Sequence, residues 1–306
     1  MNQHSPASRR ATPGPTHGAP SLRILPPVTA LAVASLLLVS CTSAPAPQAS
    51  SAPEAPATAV PEIRPGILAG YLAADAIPDS LALVPAPPAT GTAALAQDHA
   101  VMRAALALRG TPRFEQARHD AELDFPFAAG TFACALGTGI DAQRTPATYR
   151  LLRRTLTDAA LSTRAAKARY ERTRPFVETG EPTCTPEDEA DLRGNGSYPS
   201  GHTAIGWTWA LVLTQAAPER SNALLARGRS FGESRLVCNV HWQSDVLQGR
   251  FMASGTFARL QSDPAYRADV AAAAKELAEV RAQGVQPDRD CAAEAAALAQ
   301  PLPGVL

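Results

Sequence analysis

Gly194-Asn-Gly-Ser-Tyr-Pro-Ser-Gly-His-Thr-Ala-Ile-Gly-Trp207 decides how the rest of the chain is read. A polar, glycine-rich run stops at Pro199, and an apolar segment, Ala204 to Leu213, begins at once. Ser200 therefore stands where a helix N-cap belongs, with Gly201 and His202 in the first turn. A helix N-terminus offers unpaired backbone N–H groups and the positive end of the macrodipole, which together suit an anion. Gly201 lets that anion approach the main chain, and His202 can exchange a proton with whatever is bound there. Alone, Pro-Ser-Gly-His is an ordinary loop-to-helix junction; the segments around it give it meaning.

Helical patterns dominate on both sides. Upstream, Thr92 to Leu108 is alanine-rich with Leu95, Val101, Leu106 and Leu108 as apolar anchors, and Thr111 to Leu123 follows with Pro112 at a helix-entry position. Phe125 to Phe132 reads as an aromatic loop feeding a short helix to Leu136. One long helix is expected from Thr145 to Ala168, with Leu151, Leu152, Leu156, Ala159, Ala160 and Ala166 inward; Arg174-Pro175 closes the segment, because the residue before proline is pushed out of the helical region. Glu181 to Asp191 is acidic and reads as a solvated loop. Thr203–Gln215, Glu219–Leu236, Gln243–Gln261 and Ala268–Gln283 complete the helices. Strand-like runs are scarce and no repeat is visible, so the expected fold is all-α: a single-domain helical bundle with an active site at helix ends.

Three segments carry chemistry. Lys167 precedes Arg174-Pro175, Pro199-Ser-Gly-His202 comes next, and Ser234-Arg235 is followed by His241 and then Asp245. Each is weak singly, since cations near a helix end and a His/Asp pair one turn apart are common surface features. Together and in this order they resemble the Lys-x6-Arg-Pro, Pro-Ser-Gly-His, Ser-Arg-x5-His-x3-Asp pattern of the type 2 phosphatidic-acid phosphatase superfamily. The closer resemblance, over roughly residues 83–277, is to the class A bacterial non-specific acid phosphatases. It implies an all-helical fold and metal-independent hydrolysis of phosphate monoesters.

The residue types support that reading. A phosphate ester carries nearly two negative charges at neutral pH, and catalysis consists largely of positioning and neutralising them. Lys167, Arg174 and Arg235 give three cations, two of them forked donors that match phosphate oxygens. Ser200, Gly201 and the His202 backbone complete a cradle. His241 is the expected nucleophile, forming a phosphohistidine. Asp245 holds its other ring nitrogen as N–H, and His202 serves as acid and then base. That acid must start protonated, and the substrate's charge is expected to raise its pKa. No metal-ligand set or cofactor motif is apparent. Asp120 to Phe127 is a candidate pocket rim. His99 and His119 read as surface histidines, and Trp207, Trp209 and Trp242 as core.

The chain has 306 residues, is 45% hydrophobic and carries no formal net charge, which argues against a dedicated nucleic-acid binder. Only Lys167 and Lys275 among its 28 basic residues are lysines, so a lysine on a motif position gains weight. Residues 1–40 read as an export signal: Arg9, Arg10 and Arg23 precede the apolar run Ala30 to Val39, and Leu38-Val39-Ser-Cys41 resembles a lipoprotein cleavage box. An ordinary signal peptide or a membrane anchor is the alternative, although the run is short for a span of about 20 residues. Residues 41–66 read as an Ala/Pro/Ser-rich tether, 67–285 as the catalytic domain and 286–306 as an Ala-rich tail. The expected location is the periplasm, with the membrane touched only through lipid on Cys41.

Four cysteines remain, which in an exported protein implies two disulfides with three possible connectivities. The expected pairs are Cys184–Cys238 and Cys134–Cys291. The expected partners are small phosphate monoesters, and a homo-oligomer is left open. A vanadium-dependent haloperoxidase, which shares the cradle, is the rival enzyme; such chains are generally longer, with a more elaborate halide site that is not found here. A membrane lipid phosphatase needs several apolar spans, and a lipid-anchored phosphate-binding protein with a vestigial site is the non-enzymatic rival.

Overall fold

The computed structural model describes residues 60–302, 304 and 305. The expected export signal, Cys41 and most of the tether lie outside them. None of the described helices is long and apolar enough to cross a membrane.

Among the described residues, thirteen α-helices follow in chain order: α1 Ser80–Leu83, α2 Ala93–Leu106, α3 Pro112–His119, α4 Ala133–Leu136, α5 Pro146–Ser162, α6 Arg164–Tyr170, α7 Pro175–Thr179, α8 Glu189–Arg193, α9 Gly201–Ala216, α10 Ser221–Val237, α11 Gln243–Leu260, α12 Pro264–Ala282 and α13 Cys291–Leu298. The described strands are two short ones, β1 Glu62–Arg64, in the stretch expected as the end of the tether, and β2 Ile67–Leu68, at the expected start of the catalytic domain, which pair antiparallel. The all-α expectation holds.

Helix α9 is the hub, packing against α5, α10, α11 and α12. Its sequence is apolar on nearly every face, as a helix surrounded by others must be. Trp209 sits on it fully buried; its ring meets Phe125, Phe132 and Phe231 edge-on, and its N–H donates to the Leu152 carbonyl at 2.9 Å. Close helix approach depends on small residues. A Cβ on Gly249 of α11 would lie 2.5 Å from the Ser200 carbonyl oxygen, and one on Gly232 of α10 would lie 2.8 Å from Thr203. Those two glycines bring the start of α9 against the helices that carry Arg235 and Asp245.

Two expectations are corrected. The helix expected from Thr145 to Ala168 is two helices joined at Thr163, where the Ser162 and Thr163 hydroxyls donate to the Ala159 and Ala160 carbonyls (2.8 and 2.9 Å) and compete with the regular ladder. The acidic Glu181–Asp191 stretch is not simply a solvated loop. Thr183, Cys184 and Thr185 are buried, and α8 begins at Glu189. The Cys184–Cys238 disulfide pins this stretch to the end of α10, and Cys134–Cys291 ties α13, in the expected tail, to α4. Both pairings match the expectation.

Candidate active site

The motif residues lie on separate elements. Lys167 is on α6, Arg174 is the N-cap of α7, Ser200 caps α9, Arg235 is in the last turn of α10, and Asp245 is in the first turn of α11. Ser200 accepts from the Thr203 N–H (3.3 Å) and hydroxyl (2.9 Å), so Gly201 and His202 form the first turn as expected. The Ser200 N–H donates to the Asp245 carbonyl at 3.0 Å, joining the starts of α9 and α11.

His241 follows a tight turn in which Asn239 has φ +59°, a left-handed conformation that asparagine tolerates better than most residues. Its backbone N–H donates to the Arg235 carbonyl at 3.3 Å. The ring is buried and held at both nitrogens: Nδ1 lies 3.3 Å from Asp245 Oδ2 and Nε2 lies 3.2 Å from Arg174 Nη1. A guanidinium only donates and a carboxylate only accepts, so this arrangement fixes the proton on Nδ1 and the lone pair on Nε2. His202 is held oppositely. Its Nε2 donates to the Ala121 carbonyl at 2.9 Å, which leaves Nδ1 to give or take a proton.

The cations converge on the same place. Lys167 Nζ donates to the Gly196 carbonyl at 2.7 Å, Arg174 Nη2 lies 3.5 Å from that oxygen, and a Cβ on Gly201 would lie 3.7 Å from Lys167 Cε. Arg174 also donates to the carbonyls of Leu192 and Val240, both at 2.9 Å. Burial, followed by the charge of Arg174, pushes Lys167 down to about 7. Burial pushes Arg174 and Arg235 down to about 10, with Arg174 adding to the effect on Arg235. Both imidazoles are held well below their ordinary range, first by burial. Arg235 is the next cause for His202, and Arg174 and Lys167 for His241. His202 is therefore neutral near pH 7 in the free protein.

His202 and Arg235 line a cleft of about 650 Å³, walled on one side by residues 118–127 and on the other by residues 185–192. Arg174 lines an adjoining hollow of about 240 Å³ that shares Leu192 with the cleft. Within the expected rim, Ala121 to Asp124 and Phe127 do line the cleft, whereas Asp120 and Phe125 turn inward. His119 is exposed and also lines it. His99 is half-buried, with its ring centroid 5.0 Å from that of Trp242. Trp209 and Trp242 are buried as expected, while Trp207 is half-buried. Among the described residues, no group of three or more His, Cys, Asp or Glu side chains is arranged to hold a metal ion.

Two charged groups next to the motifs were not anticipated. Arg172 bridges Asp245 (2.7 Å) and the buried Asp98 (2.8 Å), and it also donates to the Ser244 hydroxyl at 2.7 Å. Asp245 thus accepts from Arg172, from the Trp242 N–H at 2.8 Å and from His241, which fixes its carboxylate. Second, Asp120 accepts from both Arg227 and Ser234 (2.6 Å to the hydroxyl), and Arg227 Nε lies 3.3 Å from Glu294 of α13. This pairing anchors Asp120 beside Ala121, whose carbonyl orients His202. Asp98 left a trace in the sequence: it shares the helical face of Leu95, Val101 and Met102, where a carboxylate needs a partner.

A family model described as PAP2 superfamily matches residues 151–264. The chain is 44% identical over 204 residues to a non-specific acid phosphatase of Providencia stuartii, covering 66% of this chain and 82% of that protein. It is 44% identical over 195 residues to one of Salmonella typhimurium (63% and 78%). It is also 39% identical over 210 residues to an acid phosphatase of Zymomonas mobilis (69% and 80%).

Proposed function

The chain belongs to the PAP2 superfamily, among its class A acid phosphatases, and on that premise we propose a broad-specificity, metal-independent hydrolysis of phosphate monoesters through a phosphohistidine. The observation that carries the mechanism is the two-sided hold on His241, which leaves the Nε2 lone pair free of its proton. Lys167, Arg174 and Arg235 neutralise the phosphoryl oxygens, with Ser200 and the first N–H groups of α9 completing the cradle.

In the first step the Nε2 lone pair attacks phosphorus in line, the P–O bond to the alcohol breaks, and the leaving oxygen takes a proton from His202. In the second, His202 takes a proton from water as the water oxygen attacks, and the P–N bond electrons return to Nε2. Asp245 accepts from Nδ1–H and offsets the positive charge on the ring while the P–N bond exists. Burial keeps His202 neutral until a dianion arrives, so proton and substrate enter together and activity favours acidic to neutral pH.

The haloperoxidase reading is not favoured, since the relatives above are named acid phosphatases. The two disulfides fit an exported, periplasmic enzyme, and the Leu-Val-Ser-Cys41 stretch supports a lipid anchor. Rapid acid-free quenching with a ³²P-labelled ester, chelator present, tests the mechanism. An acid-labile, base-stable phosphoenzyme is expected in the wild type and none in His241→Ala. Label retained in His241→Ala, or activity lost to the chelator, contradicts it.

A further inference from the structure

The cleft joins a cationic floor to an anionic mouth. At the floor, the Arg235 guanidinium is buried and its Nε has no hydrogen-bond partner. At the walls stand Glu122 and Asp124 on one side and Glu187, Asp188 and Asp191 on the other. All five are exposed, and none forms an ion pair among the described residues. The arginine on those walls is Arg118, beside His119. The whole chain is neutral, so this concentration of carboxylates around one opening is a local asymmetry. An exposed carboxylate is worth little singly, but several converging across a low-dielectric cleft focus their field on whatever enters.

A phosphate seated at Arg235 and His202 must extend its organic group between these walls. We propose that the mouth selects for phosphate monoesters whose organic group carries an ammonium, such as those of amino alcohols, and against esters carrying further anionic groups. This rests on the phosphatase reading above: Arg235 and the imidazoles hold the phosphate, and the five carboxylates hold the opposite charge. Polyanionic esters meet repulsion at the same walls, and the discrimination acts mainly on encounter and KM.

The test compares kcat/KM for phosphoethanolamine (ammonium), β-glycerophosphate (uncharged alcohol) and phosphoglycolate (carboxylate). These alcohols differ as leaving groups, so the change in the ratios decides. At low salt the phosphoethanolamine to phosphoglycolate ratio is expected to exceed its value at 1 M salt, where the Debye length is about 3 Å, by on the order of tenfold. The variant Glu187→Gln, Asp188→Asn, Asp191→Asn is expected to lower the low-salt ratio toward the high-salt value, the wild-type salt series standing independently of how that variant folds. A ratio unmoved by salt, or unmoved by the substitutions in the folded variant, overturns the proposal for the mouth while leaving the phosphatase reading intact. Hydrolysis of none of the three esters overturns both.

Discussion

Helix α10 carries two buried arginines two turns apart, and their surroundings are opposite. Arg227, 3% exposed, is bonded to Asp120 and lies 3.3 Å from Glu294; those carboxylates raise its pKa despite burial. Arg235, 2% exposed, has no carboxylate within ion-pair distance among the described residues, and burial pushes it down to about 10. The same residue type on the same helix thus serves two ends. One charge is neutralised inside the protein and ties α3, α10 and α13 together. The other is kept in reserve for an anion from outside. Arg174 and Lys167 share the second condition: burial pushes both down, and the charge of Arg174 adds to the effect on Lys167.

The largest effect that sharpens this contrast concerns a carboxylate that is both paired and part of the site. Asp245 is neutralised by Arg172 yet faces His241, so Asp245→Asn is expected to keep the fold and to lower kcat by about 10⁴, by analogy with catalytic triads. A loss below tenfold would show that the carboxylate does not set the ring tautomer. Arg172→Ala frees Asp245 to rotate, and a smaller loss, about 10- to 100-fold, is expected. Arg172→Lys should recover part of it and restore the pH profile.

Next comes the direct exchange between the two arginines. Arg235→Ala is expected to lower kcat/KM by about 10²–10³ while leaving stability within about 1 kcal/mol, since it removes a desolvated, unpaired cation. Arg227→Ala leaves Asp120 and Glu294 buried without their partner, and a loss of about 3–5 kcal/mol is expected in urea unfolding. If both variants lost stability alike, with similar activity per folded molecule, the contrast would fail.

The smaller effects bear on what the sequence could reveal. The disulfides span 54 and 157 positions, and the cysteine count alone left three connectivities open, whereas Ser200 as helix cap and the helices carrying Arg235 and Asp245 were legible because short-range patterns and motif order encode them. The partners of those residues were not. Asp98 meets Arg172 across 74 positions, and Asp120 meets Arg227 across 107, separations that no local pattern reports. The break at Thr163 depends on hydroxyl–carbonyl bonds that helix periodicity does not register. The acidic 181–191 stretch reads as solvated because its charges are exposed, yet Cys184 draws its middle into the protein.

The most direct test of unpaired, desolvated cations awaiting an anion is the proton balance of phosphate binding. Lys167, pushed down to about 7, is largely neutral at pH 8 in the free protein. A bound dianion raises that pKa, so binding draws a proton from solution, and the Lys167 proton alone should make affinity fall about tenfold per pH unit above 7 until the pKa of the complex is reached, with His202 adding to the slope. Calorimetric titration of inorganic phosphate into the intact protein at pH 8, in two buffers of different ionisation enthalpy, measures this uptake. Up to two protons taken up per phosphate, one at Lys167 and one at His202, are the expected result, falling by about one in Lys167→Arg; binding with no uptake, equally tight at pH 6.5 and pH 8.5, would contradict it.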